Sequence, residues 1–270
     1  MILRLLSQKL SNVVFKGGTS LSKGFKAINR FSEDIDITFD EHIGEARRKK
    51  LKHVVLKGIS EELCMPISNW NDTESDKDYN AYLFTYQSVW KIEGDRMLPS
   101  VKLETALGSY AFPTKIVPIN SYIGDYFIKK ERADFANRFM LDVFNMKLQA
   151  IERTYIDKIF ALCDYYVQGK SKRYSRHLYD IYKLSECVEI DDDFLKLVEE
   201  VRTHRIALGR EIAPAAPLDI NILELAQKIC KEDFYKEDYR ETTLKLISES
   251  LEYEILKKHY KELVEKIFAR

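Results

Sequence analysis

"KGGTSLSKGFKAINRFSEDIDI", from Lys16 to Ile37, decides how this chain is built. Just ahead of Lys16, Val13, Val14 and Phe15 favour β structure, and Gly17-Gly18 ends the strand they form. Thr19 or Ser20 stands where a helix cap belongs, so a helix is expected from there through Ala27. "DIDITF" then alternates strictly, with Asp34, Asp36 and Thr38 on one face and Ile35, Ile37 and Phe39 on the other. That pattern reads as a half-buried strand with its polar face turned outward.

Outward from this stretch, residues 1–10 fit a short helix, 44–63 a charged helix and 67–80 an acidic, Asn-rich loop. "AYLFTYQS" and "PSVKLETAL" read as two further strands. In the second, Val101, Leu103 and Thr105 share one face, with Lys102, Glu104 and Ala106 on the other. The order strand, helix, strand, loop, strand, strand implies a mixed sheet with helices on it, extending to about residue 150. Beyond it, "YIDKIFALCDYYV", "RHLYDIYKLSE", "DDDFLKLVEEVRTH", "NILELAQKIC" and "TTLKLISESLEYEILKKHYKELVEKIF" repeat apolar residues at helical spacing. The expected fold is therefore α+β, with a sheet domain over 1–150 and a helical bundle over 151–270. "ALGREIAPAAPLD" is the bundle's clear loop, and no internal repeat or low-complexity segment is visible.

Composition narrows the function classes. The 270 residues are 45% hydrophobic and 32% charged, enough apolar material for a core and too much for a disordered chain. Lys plus Arg equals Asp plus Glu at 43 each, which argues against indiscriminate coating of nucleic acid but leaves room for a local basic surface. Cys64, Cys163, Cys187 and Cys230 are widely spaced with no C-x-x-C, so free thiols are expected rather than zinc or a disulfide framework. No apolar run approaches the ~20 residues of a membrane span, and the N-terminus lacks a secretory pattern. A cytoplasmic protein, a monomer by default, is expected.

The first half has the parts for phosphate chemistry. Backbone N–H groups at a glycine turn followed by a helix can hold phosphate oxygens. Asp34 and Asp36, about 6–7 Å apart along one strand face, can hold Mg²⁺ ions bridging those phosphates. A third carboxylate on a neighbouring strand would complete a two-metal site, and Glu104 is the candidate. Taken singly, a Gly-Gly turn is common and an Asp-x-Asp is more often a solvated strand face. Their ordered combination is what carries information.

"FKGGTSLSK…RFSEDIDI" resembles the opening motif of the AbiEii/AbiGii abortive-infection toxins, nucleotidyltransferases of type IV toxin–antitoxin systems within the polymerase-β-like superfamily. A second signature of that family, "(E/D)K-I" followed about twenty residues on by "R-(D/H)-x-x-D", is matched by Asp157-Lys158 in "RTYIDKIFAL" and by Arg176, His177 and Asp180 in "RYSRHLYDIYKL". The resemblance implies a catalytic set of Asp34, Asp36, Glu104, Lys158 and Asp180. Of these Asp34, Asp36 and Glu104 would hold two Mg²⁺ ions. Gly17, Gly18, Thr19, Ser20 and Lys158 would meet an NTP, with the helical domain completing the nucleotide site. Asp180 is expected to hold Lys158 by an ion pair, and His177 to be structural. Many relatives carry a longer helical segment before the glycine motif, whereas about a dozen residues precede the strand here, and reduced activity is expected if that segment helps close the nucleotide pocket.

The implied reaction moves a nucleoside monophosphate from an NTP to a hydroxyl, in this family the 3′ end of RNA, particularly tRNA, which would block translation. "GKSKRYSRH" and "RRKKLKH" are basic. Lys172, Arg173, Tyr174 and Arg176 are candidates for guiding the acceptor, with Tyr174 stacking on a base. Runs of charge are more often solvated helix faces. A protein or small-molecule acceptor on the same site, and an inactive nucleotide-binding member, stand as alternatives. An antitoxin encoded alongside is implied as partner.

Overall fold

In the computed structural model, which describes residues 1–88 and 99–269, helix and strand make up 49% and 15% of the chain, an α+β protein. It divides into two compact units, Met1–Phe25 with Glu33–Gln149, and Lys26–Ser32 with Ala150–Arg270. The short segment 26–32 thus belongs with the helical half, although it lies inside the span assigned to the sheet domain by sequence.

The first unit is built on strands. Helix α1 (Ile2–Lys9) precedes β1 (Val13–Lys16), α2 (Gly17–Lys23) and β2 (Ile35–Phe39). A continuous helical stretch follows as α3 (Glu45–Lys50), a π-helical segment (Leu51–Leu56) and α4 (Lys57–Glu62), so the charged helix expected at 44–63 is present. A 3-10 turn at Trp70–Asp72 interrupts the expected loop before β3 (Tyr79–Thr85), and β4 (Ser100–Ala106) comes next. Residues 107–149 add β5 (Thr114–Ile119), α5 (Tyr122–Lys129), α6 (Ala133–Arg138) and β6 (Phe144–Gln149), none of which has a strong period in the sequence.

The six strands form one mixed sheet in the order β3-β4-β2-β1-β6-β5. Its centre is apolar by register. Phe15 faces Ile37 on one side and Leu148 on the other, and Ile35 faces Leu103. Phe15, Ile37, Leu103 and Leu148 are all fully buried. The buried face of α1, with Ile2, Leu5 and Leu6, joins the same core. Burial of such side chains contributes roughly 1.5–3 kcal/mol each before entropy is counted.

α2 starts earlier and stops sooner than the sequence suggests. The glycines are its first two residues, and it ends at Lys23 rather than Ala27. Neither hydroxyl caps it. The Thr19 hydroxyl donates to the Asp34 carbonyl at 2.5 Å, and the Ser20 hydroxyl donates to the Gly17 carbonyl at 2.8 Å. The polar face of β2 is also less open than expected, because buried Thr38 donates to the carbonyls of Ala106 and Ser109.

The second unit contains α7 (Ile151–Val167), α8 (Arg176–Leu184), α9 (Asp192–Ile206), α10 (Ile222–Lys231), α11 (Lys236–Glu241) and α12 (Tyr253–Phe268). Its core is rich in tyrosine: Tyr235 donates to the Leu162 carbonyl at 2.7 Å and Tyr260 lies 3.4 Å from Cys163 Sγ, whereas the buried Tyr155 hydroxyl has no partner among the described residues. The Ala- and Pro-rich loop is held by Arg202, which donates to the carbonyls of Ala216, Pro217 and Ile220. The long helix expected from Thr242 is broken. A 3-10 turn at Thr243–Lys245 gives way to extended chain, where Phe31 N–H donates to the Leu246 carbonyl and Arg30 bridges Ile247, and α12 begins only at Tyr253. Pairing with residues 29–31 outweighs helix propensity in a stretch of Thr and Ser, residues whose side chains compete for the backbone.

Among the described residues no helix is long and apolar enough to cross a membrane.

Candidate active site: acidic pair and glycine turn

β2 and β4 run parallel, and Asp36 pairs directly with Glu104. The two lie 68 positions apart in the chain and are brought together by sheet register. Burial, and next the Glu104 carboxylate, push the Asp36 carboxyl up to about 7. Glu104 is pushed upward by burial too, but hydrogen bonds from Lys102 and Asp36 bring it below the usual carboxylate value. Two acids held this close cannot both ionise without a cation.

Lys102 is that cation. Its ammonium sits 2.6 Å from Glu104 Oε1 and 3.1 Å from Asp34 Oδ1. Burial lowers the Lys102 pKa, and the hydrogen bonds to Glu104 and Asp34 more than reverse this. Asp34 itself lies one residue before β2, with its backbone carbonyl fixed by Thr19. Tyr79, at the start of β3, reaches Glu104 with its hydroxyl; burial and then that carboxylate push its pKa up to about 12.

The glycine turn abuts the acids. Gly17 has φ +77, and a Cβ there would overlap the Asp36 carboxylate. Only a residue without a side chain meets both conditions. Lys16 faces Asp36 from β1 and stabilises its charge. Thr19 and Ser20 are buried with their protons committed to local carbonyls, so the turn offers its backbone to a ligand rather than these hydroxyls.

Among the described residues no group of three or more His, Cys, Asp or Glu side chains is gathered tightly enough to hold a metal ion. The reason is visible in the ion pairs: the Lys102 ammonium stands where Asp34 and Glu104 converge. The donor chemistry nevertheless suits a hard divalent cation. Asp34, Asp36 and Glu104 supply oxygen ligands with surplus negative charge, and the proton on Asp36 reports that the charge is undercompensated.

In the second unit, Lys158 on α7 and Asp180 on α8 form an ion pair of 2.7 Å, as expected. Arg30, absent from the predicted set, closes the same carboxylate from the other side, its Nε 2.6 Å from Oδ1 and its Nη2 2.7 Å from Oδ2. Asp180 is fully buried, and although burial pushes it upward, Arg30 and Lys158 hold it well below the usual carboxylate range. Burial, opposed by Asp180, lowers the Lys158 pKa. His177 lies with Nδ1 3.5 Å from Lys158 Nζ; burial and then Lys158 keep it neutral, well below 6.5. That agrees with a structural role.

The basic loop is arranged differently from expectation. Tyr174 is stacked on Tyr165, ring centroids 3.5 Å apart, with His177 parallel beyond, so one of its faces is already occupied by protein. Lys172 and Arg173 are exposed, and the Arg173 and Ser175 N–H groups donate to Asp238. Arg176 is half-buried, with an Nε that has no acceptor among the described residues.

Sequence patterning missed Lys102, Tyr79 and Arg30. Lys102 had a local signal, since it lies two residues before Glu104 on the same strand face. Arg30 had none, because its partner is 150 residues away.

The crystal structure of JHP933 from Helicobacter pylori is similar to this chain, aligning over 99% of it and 88% of that protein at 17% identity, with a TM-score of 0.49. No curated protein matches the sequence. The family model described as nucleotidyl transferase AbiEii toxin, type IV TA system, matches residues 2–269, and this chain therefore belongs to the AbiEii nucleotidyl transferase toxin family.

Proposed function

We propose that the protein is a Mg²⁺-dependent toxin that transfers a nucleoside monophosphate from an NTP to the 3′ hydroxyl of an RNA, most simply tRNA, and so blocks translation in the cytoplasm. The observation that carries this reading is the Asp36–Glu104 pair set against the Gly17 turn, with Asp36 holding its proton up to about 7. Asp34, Asp36 and Glu104 would hold the metal, which when bound supplies charge for the triphosphate and the leaving pyrophosphate. The chain's own groups do the rest. The Gly17 and Gly18 backbone would meet phosphate oxygens, and Lys102, held by Asp34 and Glu104, would supply positive charge beside them. The acceptor oxygen adds to the α-phosphorus, the bond to the β-phosphate oxygen breaks, and the hydroxyl proton passes to the Asp36–Glu104 pair.

Lys158 is assigned a phosphate contact by family resemblance, and Asp180 the task of fixing its ammonium. Lys172, Arg173 and Arg176 are assigned acceptor phosphates, whereas Tyr174 serves the tyrosine stack. The antitoxin implied by the family is the expected protein partner.

The test is incubation of the purified protein with Mg²⁺, total RNA, total protein and each α-labelled NTP in turn, beside Asp36→Ala. Label in a tRNA-sized band, lost in the variant, supports the reading. Label in the protein fraction alone overturns the RNA acceptor, and label nowhere with any NTP overturns the transfer itself.

A further inference from the structure

The exposed large apolar side chains of the first unit concentrate between Ile116 and Val143, away from the carboxylates in sequence. Within that stretch, α5 carries Tyr122 and Tyr126 four residues apart on one face, 64% and 57% exposed. Four residues of helix separate them by about 6 Å. Each ring has a cation over it. Lys23 Nζ lies 4.4 Å from the Tyr122 centroid, and Lys130 Nζ 5.9 Å from that of Tyr126. The order along the surface is Lys23, Tyr122, Tyr126, Lys130.

The strip is rigidly backed. Ser121 caps α5 by accepting from the Gly124 N–H at 2.9 Å, and Gly124 lets the helix press against the Leu141 carbonyl, where a Cβ would not fit. Behind Tyr126, Phe127, Phe135 and Phe139 form a ladder with centroids 4.6 Å apart. Phe127 and Phe135 are half-buried and Phe139 is exposed.

Charge on the strip is positive. Asp134 is taken by Arg132 at 3.3 Å, Asp142 by Arg4 at 3.2 Å, and Asp125 accepts from Asn120 at 3.2 Å. Among the described residues, Lys129, Lys130 and Arg138 are in no ion pair, and Asp125 and Glu131 are the acids left to oppose them. An alternation of exposed aromatic rings and cations that lean on them matches a strand of alternating bases and phosphates.

We propose that α5, with Lys23 at the end of α2, is the docking strip for the single-stranded 3′ end of the acceptor RNA: bases stack on Tyr122 and Tyr126, and Lys23, Lys129 and Lys130 meet the phosphates. The assignment rests on the RNA-acceptor reading above and names where that acceptor binds. α2 begins at the Gly17 turn against Asp36 and ends at Lys23. Its seven residues span about 10 Å, so the strip starts one short helix from the carboxylates.

The experiment compares the full-length protein with Tyr122→Ala/Tyr126→Ala, Tyr122→Trp/Tyr126→Trp and Lys130→Gln. The first readout is fluorescence anisotropy of a labelled single-stranded RNA of about 12 nucleotides and of the matching duplex. The second is the KM and kcat of RNA labelling, and the third is binding of a fluorescent NTP. The alanine pair is expected to weaken single-strand binding at least about tenfold and to raise KM for RNA, with NTP binding unchanged. The tryptophan pair restores affinity, which a merely structural role would not produce. Lys130→Gln reduces the salt slope of binding by about 0.7. If wild type labels RNA and the alanine pair binds and labels it equally well, the strip is overturned while the RNA reading stands. If wild type labels only protein, the RNA reading falls and the strip with it. A wild-type dimer in sedimentation that the alanine pair makes monomeric would assign the face to a second copy instead.

Discussion

Arg30 and Asp180 meet in a two-pronged ion pair, Nε to Oδ1 at 2.6 Å and Nη2 to Oδ2 at 2.7 Å, with Asp180 fully buried and Arg30 nearly so. Lys158 shares the same carboxylate. One acid thus serves two buried cations, and its removal strands both. An acidic residue with no exposed atom acts by positioning other groups.

Asp180→Asn should lower the unfolding free energy by about 3–5 kcal/mol, the cost of breaking a buried pair from one side. Arg210→Gln provides the comparison, because the Arg210–Asp219 pair is largely exposed and solvent screening leaves it little to contribute. Urea denaturation of the two variants decides it. Equal, small effects would mean that the Arg30–Asp180–Lys158 cluster does not hold the unit together.

Protonation of His177 should work against the folded state starting near pH 6.5, opposed between about pH 7 and 4 by Asp36, whose carboxyl is raised to about 7 and takes its proton first in the folded chain. Burial keeps His177 neutral, with its folded pKa well below 6.5, so the unfolded chain takes up the proton first. Stability is then full above the unfolded value and declines as pH falls, by at most about 1.4 kcal/mol per pH unit for each proton. His259, depressed in the same direction by burial, adds to the decline. Asp180 acts with the same sign below about pH 4, where its unfolded carboxyl protonates. Melting temperatures from pH 8 to 5 isolate the His177 share as the difference between wild type and His177→Asn, with wild type losing more stability toward acid than the variant. An unchanged slope in that variant would exclude His177 as the source.

Gly17→Ala should cost at least about 1–2 kcal/mol from its left-handed backbone alone, and more from displacement of Asp36. Gly58→Ala, in the middle of α4 with open space around it, should instead stabilise by about 0.5–1 kcal/mol. Thermal melts distinguish the two, and RNA labelling by Gly17→Ala should fall with its stability corrected for. If both alanines are neutral, the Gly17 turn is not constrained by Asp36.

Lys102→Gln should tighten divalent-ion binding about tenfold or more, because it removes the ammonium that competes for Asp34 and Glu104. Mn²⁺ titration followed by electron paramagnetic resonance reads this without any turnover. Weaker Mn²⁺ binding in the variant would mean that Lys102 supports the metal ligands rather than substituting for the metal.

Local pattern carries some of these features and not others. Alternation in "DIDITF" and "PSVKLETAL" exposes the acidic faces of β2 and β4, and a helical period exposes α7 and α8. Where tertiary contacts compete, pattern misleads. The Thr242–Ser250 stretch has a helical period but pairs with residues 29–31, and Tyr174 has the character of a base platform but spends one face on Tyr165.

By itself the sequence determined the α+β division, the glycine turn, the Asp-x-Asp strand face and the Lys158 and Asp180 helices, because each depends on spacing of a few residues. Only the tertiary structure decided that Asp36 faces Glu104, that Lys102 occupies the acidic site, that Arg30 closes on Asp180 and that Lys23 reaches Tyr122. Those relationships join residues far apart along the chain. Sheet register and side-chain burial, which no local period encodes, bring them together.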